Sequence, residues 1–200
     1  TAEGYLEVLE RQSNRLKKLI EDLIEASKAS TGNLAVHLEK LEAGVSVVQI
    51  VGEFEDKLNA ADLTLLIQKP ETPVYVMADG RHFWRVIDNL MNNICKYAQP
   101  GTRVYVDLRE NGGQVELIFR NTSRYPLNIS SEELMERFVR GDESRNTEGS
   151  GLGISIAKSL MELMGGSFML YVDGDLFKVV LGFAQMEEEK EPLDEDKSGK

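Results

Sequence analysis

Apolar residues in the first thirty positions recur at helical spacing. Leu9, Leu16 and Leu23 repeat every seven residues, and the same side of the helix also carries Leu6, Leu19, Ile20 and Ile24. Charged residues occupy the other faces. The pattern predicts one helix of about 28 residues, roughly 40 Å long. A heptad seam of this length favours self-association in a bundle or coiled coil, and the alternative is a surface helix packed on its own domain.

Residues 34–39 alternate between apolar and polar side chains after the Ser-Thr-Gly-Asn sequence at 30–33. This alternation predicts a short strand at 34–38, with His37 on its polar side. An amphipathic helix is predicted at 45–58, and further strands at 63–67 and 74–78.

A second strongly amphipathic segment follows, with Asp79 as its predicted N-cap. Its apolar stripe consists of Phe83, Val86, Ile87, Leu90, Ile94 and Tyr97. At about 100° per residue, Asn89, Asn93 and Lys96 lie together within roughly 60° on the flank of this stripe. Carboxamide oxygens are ligands for hard cations, and a lysine suits phosphate. The alternative interpretation is a solvated helix face with two incidental asparagines.

The C-terminal half predicts two hairpins and two helices. Strands at 104–108 and 115–119 flank an Asn-Gly-Gly turn, and strands at 168–172 and 176–183 flank Asp-Gly. A capping box at 130–133 precedes a short helix ending near Phe138, and a glycine-rich stretch opens a helix ending near 164. We interpret 139–150 as a mobile loop. Together these elements predict an α/β protein: a long helix at 1–30, a domain at 31–186 and a disordered acidic tail at 187–200.

Composition excludes several classes of function. The net charge of −11 over 200 residues argues against nucleic-acid binding, which needs a basic surface. One cysteine, Cys95, cannot form an internal disulfide, and we interpret it as a packing residue in a reducing compartment. Two distant histidines and one cysteine provide no zinc cluster. No apolar run approaches membrane-spanning length and no signal peptide is seen, so the visible chain is expected to be soluble, although it could be cut from a longer protein.

The glycine-rich stretch 149–153 is a candidate phosphate loop. Amides at a helix N-terminus attract phosphate. A dinucleotide-binding turn needs a strand directly before the glycines, and 140–148 is too polar for one. A P-loop is also excluded, because no Gly-Lys-Ser/Thr follows. The remaining interpretation is a nucleotide lid, with Arg137 and Arg140 as candidate phosphate ligands or ordinary surface arginines.

In this order, the motifs resemble those of the ATP-binding domain of bacterial sensor histidine kinases, in the GHKL ATPase superfamily. Residues 89–97, Asn-Leu-Met-Asn-Asn-Ile-Cys-Lys-Tyr, resemble the family's N box. Residues 137–140 resemble its phenylalanine box, and 149–154 its second glycine box. The first helix resembles the second helix of the dimerisation and phosphotransfer hairpin. The resemblance covers nearly the whole chain except the acidic tail.

The resemblance implies a two-layer α/β sandwich with a mixed sheet backed by helices, and it implies an ATP site. Asn93 would coordinate Mg²⁺ with Asn89 beside it, Lys96 would contact the phosphates, and Tyr97 would lie near the base or ribose. Arg140 would lie near the γ-phosphate, with Arg137 close by. The lid and its phosphate-facing amides would comprise Gly149, Ser150, Gly151, Leu152 and Gly153.

Two departures from the family pattern stand out. The first glycine box aligns with 121–125, where Asn121 replaces the aspartate that accepts from the adenine amino group and both glycines are lost. A carboxamide oxygen can still accept this hydrogen bond, without charge assistance. The phosphoacceptor histidine motif is also missing, because neither His37 nor His82 has its context. The fragment is therefore expected to bind ATP and to be inactive in autophosphorylation on its own.

The leading hypothesis is the kinase domain of a two-component sensor, an enzyme that supplies the ATP γ-phosphate to a histidine outside this sequence. The parent protein would be a cytoplasmic-facing homodimer anchored in the inner membrane by an upstream segment, and its partner would be the receiver domain of a response regulator. One alternative is a degenerate, non-catalytic, dimerising partner-binding module. Another is a serine-directed kinase of the same superfamily.

Overall fold

The chain begins with one long helix and continues into alternating helices and strands. A computed structural model describes residues 2–140 and 151–186, with the backbone alone for 137–140. The elements are α1 (Ala2–Ser30), β1 (Glu39–Glu42), α2 (Ala43–Gly52), α3 (Glu55–Ala60), β2 (Leu63–Gln68), β3 (Tyr75–Ala78), α4 (Gly80–Tyr97), β4 (Thr102–Asn111), β5 (Gln114–Thr122), α5 (Ser131–Arg140), α6 (Gly153–Leu163), β6 (Ser167–Asp173) and β7 (Leu176–Ala184). Of the loop predicted at 139–150, the first two residues belong to α5 instead, and 141–150 lie outside the described residues, as does the predicted tail at 187–200.

A five-stranded sheet in the order β2-β4-β5-β7-β6 carries the domain. Strand β2 runs parallel to β4, and the other neighbouring pairs are antiparallel. Helices α4 and α6 pack against each other and on the sheet. The largest fully buried side chains belong to these layers: Phe83, Ile87, Leu90, Met91, Ile94, Leu117, Phe119, Ile154, Ile156, Leu160, Met161 and Leu181. The predicted two-layer sandwich with a mixed sheet is confirmed.

Both predicted hairpins form. Between β4 and β5, Gly112 and Gly113 have φ of +59° and +84°. Two consecutive positive φ values define the primed turn that matches strand twist, and only glycine adopts them without steric cost. One of the two hydrogen bonds of the predicted capping box is present, since the Glu133 amide donates to Ser130 Oγ at 3.1 Å.

The predicted strand at 34–38 is wrong. These residues belong to no strand, and β1 begins at Glu39 and pairs antiparallel with β3. Leu34 and Val36 pack partly against the core, which explains their alternation. The amide of His37 donates to Asp79 Oδ2 at 2.8 Å instead of to a neighbouring strand. Periodicity here reflects one-sided burial without strand pairing.

The single helix predicted at 45–58 is two helices, α2 and α3. Glu53 and Phe54 interrupt the helical run, and Phe54 is buried in the core. Residues Val51 and Leu58 are also buried, so the same apolar period continues across the break. The sequence pattern therefore identified the buried positions and missed the turn between them.

Helix α1 has the predicted length, and its two sides differ in how far they are buried. Its C-terminal half packs on α6 and on the Arg85 region of α4, with Asp22 and Ala29 buried. The heptad leucines Leu9, Leu16 and Leu23 point away from the domain and remain 65%, 58% and 61% exposed. Packing on its own domain therefore does not use the seam. Self-association through the seam remains a prediction.

Asp79 joins the linker after α1 to the start of α4. One carboxylate oxygen accepts from the amides of Arg81 and His82, and the other accepts from the amide of His37. Burial by itself would raise the pKa of Asp79. The backbone hydrogen bonds, led by His37, and the nearby His82 ring outweigh burial and hold the pKa below its ordinary value.

Replacing Asp79 by alanine should lower the free energy of unfolding by about 1–3 kcal/mol, because three amides lose their acceptor. The folded-state pKa of Asp79 is depressed, so its stabilisation is complete above the ordinary pKa of about 4 and is lost as pH falls through the folded value. Urea unfolding of the wild type and Asp79→Ala from pH 7 to pH 3 should show the difference shrinking below about pH 4. Asp79→Asn, which keeps one acceptor oxygen, should lose less at pH 7. A constant difference across this range would contradict the assignment.

Candidate functional site

Helix α4 brings the three predicted polar residues to one cleft. Its apolar side is in the core, which fixes the rotation of the helix and places Asn89, Asn93 and Lys96 on the flank. The cleft has a volume of about 1330 Å³. Asn89 is only 8% exposed, and its Nδ2 has no hydrogen-bond partner among the described residues. A buried, unpartnered donor beside a cleft is suited to a polar ligand.

The start of α6 forms a neighbouring wall of the cleft. Gly151 and Gly153 line it, and Gly151 has a φ of +72°. A Cβ atom at Gly153 would lie 3.4 Å from Asn89 Oδ1, so the glycine permits close contact between α6 and α4. Leu152 is partly buried and packs against the core instead. The predicted site residues Gly149 and Ser150 lie outside the described residues, as do the side chains of Arg137 and Arg140.

The charge of the cleft is opposite to that of the protein. Six basic and three acidic residues line its described part, whereas the whole chain has a net charge of −11. The basic residues are Arg11, Arg15, Lys18, Lys57, Lys96 and Arg124. Such a concave basic surface attracts an anionic ligand.

Several residues of this cleft were not predicted from the sequence. Lys57 on α3 lines it and donates to Asn92 Oδ1 at 2.9 Å. Arg124 lines it as well, and its amide donates to the Tyr97 carbonyl at 2.8 Å. The polar side of α1 completes the wall. None of these residues carries a local signal, because only the tertiary arrangement brings them to α4.

Asn121 lies in the protein interior near the C-terminal end of α4, and not on the wall of the open cleft. It is 4% exposed, its Nδ2 donates to the Thr122 carbonyl at 3.3 Å, and its Oδ1 has no partner among the described residues. The Gln99 amide donates to the Thr122 carbonyl at 2.8 Å, which ties this end of β5 to the end of α4. Asn121 thus provides a buried acceptor at the strand end that is hydrogen-bonded to the chain just after α4, where Tyr97 lines the cleft.

Cys95 and the two histidines are poorly suited to nucleophilic chemistry in the cleft. Cys95 lines the cleft, and burial raises the pKa of its thiol more than Lys57 lowers it. A neutral thiol is a weak nucleophile, in agreement with the predicted packing role. His82 is hydrogen-bonded to the Ala35 carbonyl at 2.7 Å, and His37 is exposed. Neither histidine belongs to the described lining of the cleft.

The described residues contain no group of three or more His, Cys, Asp or Glu side chains arranged to hold a metal. A cation here would need carboxamide oxygens and ligands brought by another molecule. Within the described ranges, no helix combines the length and apolar character needed to cross a membrane.

Comparison with known proteins identifies the family. Residues 78–192 match the family described as histidine kinase-, DNA gyrase B-, and HSP90-like ATPase. The sensor protein IrlS of Burkholderia pseudomallei is 27% identical over 173 residues, covering 84% of this chain and 36% of the relative. The sensor protein kinase WalK of Staphylococcus aureus is 25% identical over 170 residues, covering 82% of this chain and 40% of the relative. The chain thus spans well under half the length of these relatives.

Solved structures show the same fold. Histidine kinase AdeS of Acinetobacter baumannii superposes with a TM-score of 0.73 at 20% identity, covering 91% of this chain and 84% of that chain. Histidine kinase ThkA, solved in complex with the response regulator protein TrrA, gives a TM-score of 0.68 at 15% identity, covering 95% and 53%.

The contact between Gly153 and Asn89 can be tested by adding a side chain. Gly153→Val should lower the free energy of unfolding by about 1–3 kcal/mol, because the added atoms must displace Asn89. Gly52→Val is the matched control, since a Cβ there meets no atom within 4 Å, and it should change stability by less than about 0.5 kcal/mol. Thermal unfolding measures both changes. Equal effects of the two substitutions would argue against a close α4–α6 contact at Asn89.

Proposed function

Because this chain belongs to the family of histidine kinase-, DNA gyrase B- and HSP90-like ATPases, we propose that it is the ATP-binding kinase domain of a bacterial two-component sensor histidine kinase. The observation that carries the proposal is the polar flank of α4. Asn89, Asn93 and Lys96 line a basic cleft beside the glycines that open α6. The alternatives of a degenerate binding module or a serine-directed kinase are not favoured, since the curated relatives described above are sensor kinases.

The cleft fits a magnesium-bound nucleotide. Mg²⁺ in nucleotide sites is bound mainly by waters and substrate phosphates with few protein ligands, so it does not require the group of three or more His, Cys, Asp or Glu side chains that the described residues lack. Asn93 would hold the ion through its carboxamide oxygen, with Asn89 beside it. When bound, Mg²⁺ supplies neutralisation of phosphate charge.

Each remaining site residue has a proposed role in orienting the nucleotide. Lys96 and Lys57 hold phosphate oxygens, and the amides of Gly151 and Gly153 face the phosphates at the start of α6. Tyr97 lies against the base or ribose, and Asn121 offers its buried acceptor oxygen to the base. Leu152 supports this region from the core side. The proposal also includes phosphate contacts by Arg137 and Arg140 and a place in the lid for Gly149 and Ser150. The two arginine side chains and residues 149–150 lie outside the described part of the chain.

The γ-phosphate would pass to a histidine supplied by another segment or subunit. Both histidines of this chain lie away from the described cleft lining, which supports an external acceptor. Phosphoryl transfer needs little covalent chemistry from the domain, so these residues would act mainly by positioning and charge neutralisation. The phosphate would then move to an aspartate in a receiver domain. We further propose that α1 dimerises through its exposed seam, and that the whole protein is anchored in the inner membrane with this domain in the cytoplasm.

Asn93→Ala should abolish the magnesium-dependent part of ATP-analogue binding, because the substitution removes the proposed metal ligand. Isothermal titration with a non-hydrolysable ATP analogue, with and without Mg²⁺, measures this directly. We expect a loss of about tenfold to a hundredfold in affinity with Mg²⁺ and little change without it. Asn111→Ala, at the distant end of β4, is the control and should bind as the wild type does.

Failure of the folded wild type to bind the analogue at millimolar concentration would refute the proposed function. Equal magnesium dependence in the wild type and Asn93→Ala would refute the metal role alone.

Asn121→Asp should sharpen base selectivity. A carboxylate only accepts hydrogen bonds, whereas the carboxamide can turn and present its donor to a base with a 6-oxo group. The substitution should raise the ratio of ATP to ITP affinity by about tenfold, since a charge-assisted bond to the adenine amino group is stronger. Competition titrations with the two nucleotides measure the ratio. An unchanged ratio in a folded variant would exclude Asn121 from base recognition.

A further inference from the structure

The polar side of α1 carries a basic stripe that faces the same cleft as α4. Arg11, Arg15 and Lys18 occupy successive turns on one side of α1, at spacings of four and three residues. The stripe extends over about 10 Å along the helix. Moving away from the contact between the helices at Arg85, α1 contributes Lys18, Arg15 and Arg11, and α4 contributes its own polar residues. A polar stripe on α1 and a polar stripe on α4 therefore line the same cleft.

A partly buried ion-pair cluster holds α1 in this position. Arg85 on α4 contacts Asp22 at 2.9 Å and Glu25 at 2.8 Å, both on α1, and Asp88 at 3.3 Å. Asp22 is 5% exposed, and Ala29, further along α1, is 4% exposed. Removing one partner of a desolvated ion pair with this geometry costs much more folding stability than removing one partner of an exposed pair. Together with the packing of α1 on α6, these α1–α4 contacts hold the stripe at the cleft, and Arg85 itself is not part of the described cleft lining.

The three cations of the stripe form no ion pairs within the described residues. Within the described residues, none of Arg11, Arg15 and Lys18 forms an ion pair with a carboxylate within 4.0 Å. The adjacent Lys17, which does not line the cleft, pairs with Glu21 at 4.0 Å. The described cleft lining also receives three acidic residues from α1, namely Glu7, Glu10 and Asp22. None of them forms an ion pair with Arg11, Arg15 or Lys18, so the described cleft does not neutralise these three cations by direct pairing. An extended polyanion between the helices would satisfy them.

We propose that Arg11, Arg15 and Lys18 of α1 form the second wall of the phosphate site and bind the outer phosphates of a nucleoside triphosphate held by α4. This inference rests on the proposed function, and it adds a determinant on α1 to that site. A triphosphate carries more charge and reaches further than a diphosphate. The stripe should therefore favour the triphosphate, so that α1 contributes to discrimination between ATP and ADP.

The double variant Arg15→Ala/Lys18→Ala tests the inference. Its affinity for a non-hydrolysable ATP analogue with Mg²⁺ should fall by about 25-fold, at roughly fivefold for each of the two charges, with a smaller loss for ADP. Lys17→Ala, on the same helix and next to Lys18, is the matched control and should keep the wild-type ratio of triphosphate to diphosphate affinity. All three residues are exposed, so the variants should keep the wild-type melting temperature. A wild-type ratio in the double variant would overturn the inference.

Arg85→Ala tests the same inference from outside the cleft. Releasing α1 should weaken triphosphate binding about as much as the double variant does. If Arg85→Ala fails to fold, Glu25→Ala provides a weaker disruption, because it removes only one of the carboxylates that pair with Arg85. Tighter triphosphate binding in either variant would mean that α1 obstructs the cleft, which would overturn the inference. If the wild type binds the analogue in an Asn93-dependent manner and the α1 variants keep the wild-type triphosphate affinity, this inference fails alone. If the wild type binds no nucleotide, the inference and the proposed function fail together.

Discussion

Burial of one side of α4 is the constraint on which the rest of the structure depends. The apolar residues of α4 lie between the sheet and α6, and Asp79 fixes where the helix begins. With rotation and starting point fixed, the polar flank can face only one direction. Asn89 is consequently desolvated with an unpartnered donor, at a cost of about 1–3 kcal/mol. A ligand that accepts from this donor would offset the cost, so the fold itself favours occupation of the cleft.

The second organising interaction is the ion-pair cluster at Arg85. Burial alone would lower the pKa of Arg85, but the hydrogen bond and charge of Glu25, with the charges of Asp22 and Asp88, raise it above its ordinary value. The guanidinium therefore stays charged and keeps α1 against α4. Together with the packing of α1 on α6, this cluster keeps in place the wall that carries half of the described basic residues of the cleft. This acidic protein thus concentrates positive charge in the cleft, because three helices and the turn at Arg124 contribute basic residues to the cleft lining.

Sequence patterns predicted the parts of this structure that are encoded locally. The period of α4, its Asp79 cap and the Gly112–Gly113 turn each depend on neighbouring residues, and all are confirmed. The strand at 34–38 failed because one-sided burial imitates strand alternation in a segment whose amide bonds to Asp79 instead. Lys57, Arg124 and the basic stripe of α1 could not be predicted, because they reach the cleft only through contacts between elements distant in sequence.

The two sides of α1 give one rigid helix two separate surfaces. The exposed heptad leucines and the basic stripe lie on different sides of α1, and the helix is continuous from Ala2 to Ser30. A partner packed on the leucine seam would restrain the direction of the helix without covering the stripe. The contact at Arg85 would then be the point where that restraint reaches α4. Any rotation of α1 moves Lys18, Arg15 and Arg11 relative to Asn93, so association through the seam and nucleotide binding in the cleft would be linked through one helix, and by thermodynamic reciprocity each would affect the other.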